Sequence, residues 1–264
     1  IVWQGAFGLL TGILGYTWYQ LAWYFVMYSF IGWCLEVVYC TAESGKIVNR
    51  GFLNGPVCPI YGFGMLVVLF VLKLVPQGTG SIPVWALFLG GMVLASAVEL
   101  IGGWLMLRIF HARWWDYSDK PFNVGGFICL EFSLLWGLGA VVVVRGVQPA
   151  LAHVANHKIP ADIGWPILAV LYAVYFVDLV LTCVTVAGLN RDLKELDAVS
   201  AKLRTVSDAL SVGLGTGALT ADQKLDEGKL QVTLATAEAK DAVTDAAAQA
   251  RDAVTEAAAQ AKRS

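Results

Sequence analysis

Apolar runs long enough to cross a bilayer recur along most of this chain, and nothing else in the sequence constrains its fold so tightly. The hydrocarbon layer holds no water, so a spanning segment must satisfy its own backbone groups, as a helix does. Crossing takes about 20 apolar residues, and a window of about 19 residues picks out about five stretches. They are Tyr19 to Thr41, Pro59 to Val75, Pro83 to Leu107, Gly126 to Val147 and Ile163 to Ala187. Of the 264 residues 58% are hydrophobic and 14% charged, and the mean hydropathy is +0.66, a balance foreign to an ordinary soluble domain. The expected fold is all-α, a polytopic transmembrane helical bundle with a C-terminal soluble helix.

Three regions follow from the composition. Residues 1–18 form an apolar, glycine-containing lead-in or partial extra helix, residues 19–190 the transmembrane domain, and residues 191–264 an Ala-rich helical tail. The lead-in lacks the basic flank of a signal peptide, so none is expected there. Near its end the tail repeats a unit of about eleven residues, Lys240 to Ala250 and then Arg251 to Ala261, a period that keeps one stripe on a nearly straight helix.

Orientation is set by the cations. Lys46 and Arg50 follow the first span, Arg108, Arg113 and Lys120 the third, and Arg191, Lys194, Lys202 and Arg204 the fifth. The positive-inside tendency puts these segments, and with them the C-terminus, in the cytoplasm of a bacterial cell. A net charge of −2 without a basic, aromatic-interleaved stretch speaks against nucleic acid as a partner. The partners expected are the lipid bilayer, a separate ATPase subunit if ATP drives the protein, and further copies of the chain.

Four carboxylates interrupt the spans: Glu36, Glu99, Glu131 and Asp178. Each costs about 2.5–3.5 kcal/mol at a helix centre, so four are not expected without water, a partner or a function. At about 1.5 Å per residue, Glu36, Glu99 and Glu131 fall ~8–12 Å inside the cytoplasmic boundary, with Asp178 nearer the midplane. Packing glue is the plainer alternative for each.

Around these carboxylates the chain resembles itself. Ser29 to Glu36, a polar loop, then Arg50-Gly-Phe-Leu-Asn54-Gly-Pro-Val-Cys58-Pro-Ile-Tyr61-Gly-Phe-Gly64 reads as one helix–loop–helix unit. Ser96 to Trp104, a loop with Trp115-Asp116-Tyr117-Ser118 and Phe122-Asn123, then Gly126-Phe-Ile-Cys129 to Trp136-Gly137 reads as another. Two such hairpins would form a parallel repeat with a site between them. Arg50, Asn54 and Gly55 suit a re-entrant turn that offers N–H groups to an anion or headgroup, although Arg50 could equally pair with Glu36. With Trp115, Asp116, Tyr117 and Asn123 they would make a polar mouth lined by aromatic rings. The candidate substrate-binding residues are therefore Glu36, Arg50, Asn54, Glu99, Trp115, Asp116, Tyr117, Asn123, Glu131 and Asp178.

Motifs for enzymatic chemistry are missing. No GxxxxGK[ST] loop, HExxH pair or GxSxG elbow occurs, and the five cysteines show no CxxC spacing. His153 and His157 fall in an expected external loop. We expect no metal, cofactor or disulfide framework, and the balance leans away from an enzyme.

The stretch Asn49-Arg-Gly-Phe-Leu-Asn-Gly-Pro-Val-Cys-Pro-Ile-Tyr-Gly-Phe-Gly64, with Trp114-Trp-Asp-Tyr-Ser118, Pro121-Phe-Asn123 and Gly126-Phe-Ile-Cys129, resembles the bacterial family of putative ABC-transporter type IV, permease-like, integral membrane proteins. The resemblance spans about Tyr19 to Asn190. It implies transport and carries over no residue roles. The expected function is a permease-like protein moving a small polar or ionic solute through a site lined by buried carboxylates. The alternatives are a membrane-embedded enzyme acting on a lipid or lipid-linked substrate at the cytoplasmic interface, and a membrane assembly scaffold.

Overall fold

A computed structural model describes residues 12–49, 51–74, 82–186, 199–227 and 229 of the chain. It is an all-α membrane bundle preceded by one small hairpin. Gly12–Ile13 (β1) and Tyr16–Thr17 (β2) pair antiparallel around Leu14 and Gly15, both at positive φ, as a two-residue hairpin turn requires. Part of the expected lead-in thus takes hairpin form, and residues 1–11 lie outside the described residues.

Helix α1 (Trp18–Ser44) starts where a capping box tells it to: the Thr17 hydroxyl accepts from the Gln20 N–H, and the Gln20 side chain accepts from the Thr17 N–H. It stops at Gly45, which adopts the left-handed cap conformation. Helix α2 is Pro59–Leu74, α3 is Val84–Phe110, α4 runs Leu130–Lys158 and α5 is Ala161–Val186. Four of these are long and apolar enough to cross a membrane. The fifth, α2, has 16 residues, about 24 Å at about 1.5 Å per residue, short of the roughly 30 Å hydrocarbon layer. A sixth helix, α6, covers residues 199–227.

Two expected boundaries move. Helix α4 begins at Leu130 rather than Gly126, because residues 111–129 fold back on themselves through Tyr117 N–H to the Gly126 carbonyl and a Val124–Ile128 bridge. It also continues beyond Val147 to Lys158, so His153 and His157 sit on its last turns and not in a loop. Pro149 explains how: its ring would crowd the carbonyl of Arg145 in a regular α-helix, and Val143–Val147 winds as π-helix there instead.

Successive helices run in opposite directions. The connections 45–58 and 111–129 share one end of the bundle with α6, here called the loop end. At the other end Lys158 of α4 and Trp18 of α1 come together, through Gln20 Nε2 to Asn156 Oδ1 (2.7 Å) and Tyr19 Oη to the Ile159 carbonyl (2.9 Å). Trp23, Tyr24, Tyr28, Leu69, Ala155 and Leu168 form the core of that half. Toward the loop end α1 and α2 approach closely: a Cβ on Gly62 would lie 2.4 Å from Ser29 Oγ and 2.8 Å from the Phe25 backbone. No larger residue allows that crossing.

Candidate functional site

Two glutamates, one on the first helix of each hairpin, organise the interior of the bundle. Glu36 of α1 is half-buried and takes the Tyr61 hydroxyl of α2 on Oε1 at 2.7 Å, with the Cys40 thiol 3.8 Å from Oε2. Glu99 of α3 is 7% exposed and takes the Trp136 indole N–H of α4 on Oε2 at 2.9 Å and the Tyr117 hydroxyl on Oε1 at 3.0 Å. The Tyr61 and Trp136 rings meet edge to face with centroids 5.7 Å apart, so the two carboxylates belong to one polar seam crossing from α1 to α4. Burial, followed by the charge of Glu99, raises the Tyr117 phenol above its ordinary value and keeps it a donor. Among the described residues no lysine or arginine forms an ion pair with either glutamate.

One local feature recurs at the two aromatic donors. Tyr61 and Trp136 are each followed by a glycine that lets its helix close on a phenylalanine: Gly62 on Phe25, and Gly137 on Phe88. Each phenylalanine precedes the glutamate of its own helix by about three turns. Neither Tyr61 nor Trp136 was among the residues expected to line the site. The signal lay in Tyr61-Gly-Phe-Gly64 and Trp136-Gly-Leu-Gly139, two aromatic-Gly-x-Gly runs.

Asp178 sits elsewhere and does something different. It is 2% exposed, and its carboxylate receives the backbone N–H of Asn54 (3.1 Å), the Asn54 amide (3.0 Å), the backbone N–H of Gly55 (2.7 Å) and the Thr182 hydroxyl (3.3 Å). The first loop does present N–H groups to an anion, but that anion is the protein's own side chain on α5. A carboxylate so satisfied holds a loop in place. Arg50 lies outside the described residues.

The second loop is held by its own polar residues. The Asp116 carboxylate accepts from the Ser118 N–H and hydroxyl, which with Arg113 3.4 Å away lower its pKa. Asn123 donates to the carbonyls of Ser118 and Lys120 and accepts from the Gly126 N–H. Trp115 donates to the Phe127 carbonyl and lies against Gly102 and Gly103 of α3. Glu131 is in the first turn of α4, exposed and 3.0 Å from Lys120, so the later start of that helix moves it to the loop end, away from the depth of Glu99. The two loops touch through rings: Phe52 is 5.1 Å from Trp114 and 5.5 Å from Phe110.

The C-terminal helix also reaches this end. Asn49 Nδ2 donates to Ser207 Oγ (2.8 Å) and Asp208 Oδ1 (2.5 Å), its Oδ1 accepts from the Trp33 indole (3.2 Å), and the Ser207 hydroxyl donates to the Asn54 carbonyl (2.6 Å).

With this geometry in hand, the comparison with known families is specific. Residues 23–183, which hold both glutamates, both loops and Asp178, match the family described as putative ABC-transporter type IV, and the chain belongs to that family. No curated protein and no solved structure matches it.

Proposed function

We propose that this member of the putative ABC-transporter type IV family is a permease-like unit that moves a small polar or ionic solute, with Glu36 and Glu99 as its paired binding groups. The observation that supports it best is that these two intramembrane carboxylates are held by neutral donors and joined through Tyr61 and Trp136. Neutral donors offset part of the desolvation cost and bring no counter-charge, so each carboxyl group is open to a cation or a proton. The matched Gly62–Phe25 and Gly137–Phe88 contacts, each phenylalanine eleven residues before a glutamate, support reading the hairpins as a parallel repeat with the site between its halves. Asn54, Asp116, Asn123 and Asp178 then act by fixing the loops, and Trp115 and Tyr117 by closing the second loop over Glu99.

We place the loop end in the cytoplasm because Lys46, Arg108, Arg113 and Lys120 lie there. An ATP-driven version requires a separate ATPase subunit, since the chain has no P-loop. The test is proton and monovalent-cation flux into membrane vesicles from cells producing the protein. Glu36→Gln and Glu99→Gln each remove the ionisable group and keep one of its two acceptor oxygens, and each should lower flux about tenfold or more, a loss of about 1.4 kcal/mol in the step. Equal flux in wild type and the doubly substituted protein would sink the proposal.

A further inference from the structure

The chain after α5 returns to the bundle and covers one of its surfaces. On α6 the residues at 207, 211 and 215 are buried on one face, whereas Val206, Leu210 and Val212 are 44–54% exposed. The buried face is a matched seat. Leu214 packs against the cluster of Trp33, Val37 and Cys58. A Cβ on Gly215 would meet Ile47 at 3.0 Å, and Ser207, fully buried, ties to Asn49 and Asn54. Asn54 is therefore gripped from two sides, by Asp178 of α5 and by Ser207 of α6.

We infer that α6 is an intramolecular cap that holds the 45–58 loop shut over the Trp33–Val37–Cys58 cluster and lifts as a unit to open it. Little fixes the cap strongly. Among the described residues its contacts to the loop are a few hydrogen bonds, with no ion pair, beside Leu214 and small residues, so it belongs to the part of the structure that opens at low cost. Beneath it, Cys58 lies one helical turn from Tyr61, the residue that donates to Glu36. Lifting the cap thus uncovers the approach to the first carboxylate. The cap itself stands on the contacts above, and its role as a gate rests on the permease reading.

Cys58 reports the state of the cap. It is 6% exposed, and burial pushes its thiol up to about 12, so it alkylates slowly while covered. The full-length protein in detergent is treated with a maleimide, and labelling of Cys58 and Cys129 is quantified by peptide mass spectrometry. Gly215→Phe and Ser207→Leu wedge the docked face and should raise the Cys58 rate about tenfold, as expected when a local opening is eased. Val212→Phe, on the exposed face, should leave it unchanged. Cys129, 1% exposed in the second loop, should stay protected throughout. An unchanged Cys58 rate in both wedge variants overturns the cap, as does a parallel rise at Cys129 or an equal rise with Val212→Phe. The gate is read separately, as ion flux in Gly215→Phe vesicles. If labelling rises while Glu36→Gln has no effect on flux, the cap stands and the permease reading fails. If labelling is unmoved while Glu36→Gln abolishes flux, the reverse holds.

Discussion

Replacing Asp178 by asparagine tests whether this carboxylate is an anchor. Its two oxygens accept from four donors, three of them on Asn54 and Gly55. An asparagine keeps one oxygen, and the least harmful placement leaves that oxygen with Asn54 and Thr182 and turns the new NH2 toward the Gly55 N–H, 2.7 Å away in the wild type. One buried donor then loses its partner and faces another donor, at a cost of about 1–3 kcal/mol. Alanine strands both backbone N–H groups, about 2–6 kcal/mol by the same figure, while the Asn54 amide keeps the Thr182 hydroxyl. With about 2–4 °C per kcal/mol for a domain of this size, asparagine should lower the melting temperature by roughly 2–12 °C and alanine by about twice that. Tryptophan fluorescence during heating in detergent micelles measures both. If asparagine melts within a degree of wild type, or alanine no earlier than asparagine, the account of Asp178 as acceptor for the loop is wrong.

Four further outcomes are expected. Trp136→Phe keeps a ring beside Tyr61 but removes the donor to Glu99, leaving a buried carboxyl oxygen without that partner at a cost of about 1–3 kcal/mol, and should reduce both thermal stability and flux, whereas substitution of exposed Trp85 should change neither. Gly62→Leu forces the crossing of α1 and α2 apart and should destabilise by about 1–3 kcal/mol, seen as an earlier melt and faster labelling of Cys58. The pKa of Asp116 is lowered by Ser118 and then Arg113, so its contribution is complete above the ordinary carboxylate value and is lost as pH falls through the lower folded value. Hydrogen exchange at the Ser118 N–H, corrected for intrinsic rate, should speed up in that acid window and in Asp116→Asn at neutral pH. Lys120, whose pKa is raised by Glu131, contributes below its ordinary value and loses that contribution as pH rises through the folded one, so Glu131→Gln should remove the alkaline response of the second loop.

Composition carried the helical membrane class and the approximate place of each apolar helix, because the requirement for a long uncharged run is strong and local. The limits of α4 were not legible. Tyr117 pairing with Gly126 withdraws residues 126–129 from the helix, and π-winding around Pro149 carries it past a polar stretch, two effects that depend on contacts a hydropathy window does not see. Charges inside spans drew attention to Glu36, Glu99 and Asp178, but the type of residue could not say whether its partners would be the chain's own backbone or another side chain. Asp178 meets Gly55, and Glu99 meets Trp136, across long separations in sequence. Tyr61-Gly62 and Trp136-Gly137 were hidden as well: each glutamate follows its phenylalanine by eleven residues, but Tyr61 lies 25 residues beyond Glu36 and Trp136 lies 37 beyond Glu99, so no ungapped register brings the two together. The docking of α6 had no visible sign, since Ser207, Ser211 and Gly215 look like ordinary polar-helix residues until something packs on them.

The bond from Gly55 to Asp178 also has a meaning in time. The two residues are 123 positions apart, with α2, α3 and α4 between them in the chain. At a synthesis rate of about 5–20 residues per second, the loop at Gly55 exists for roughly 6–25 s before its anchor has been made. During that interval the N–H groups of Asn54 and Gly55 must be held by water or headgroups, and the hairpin can settle only when α5 arrives. The last transmembrane helix to be inserted thus finishes the first, which makes α5 a checkpoint on assembly: a chain arrested before residue 178 should present an unsealed loop to any protease that surveys newly made membrane proteins.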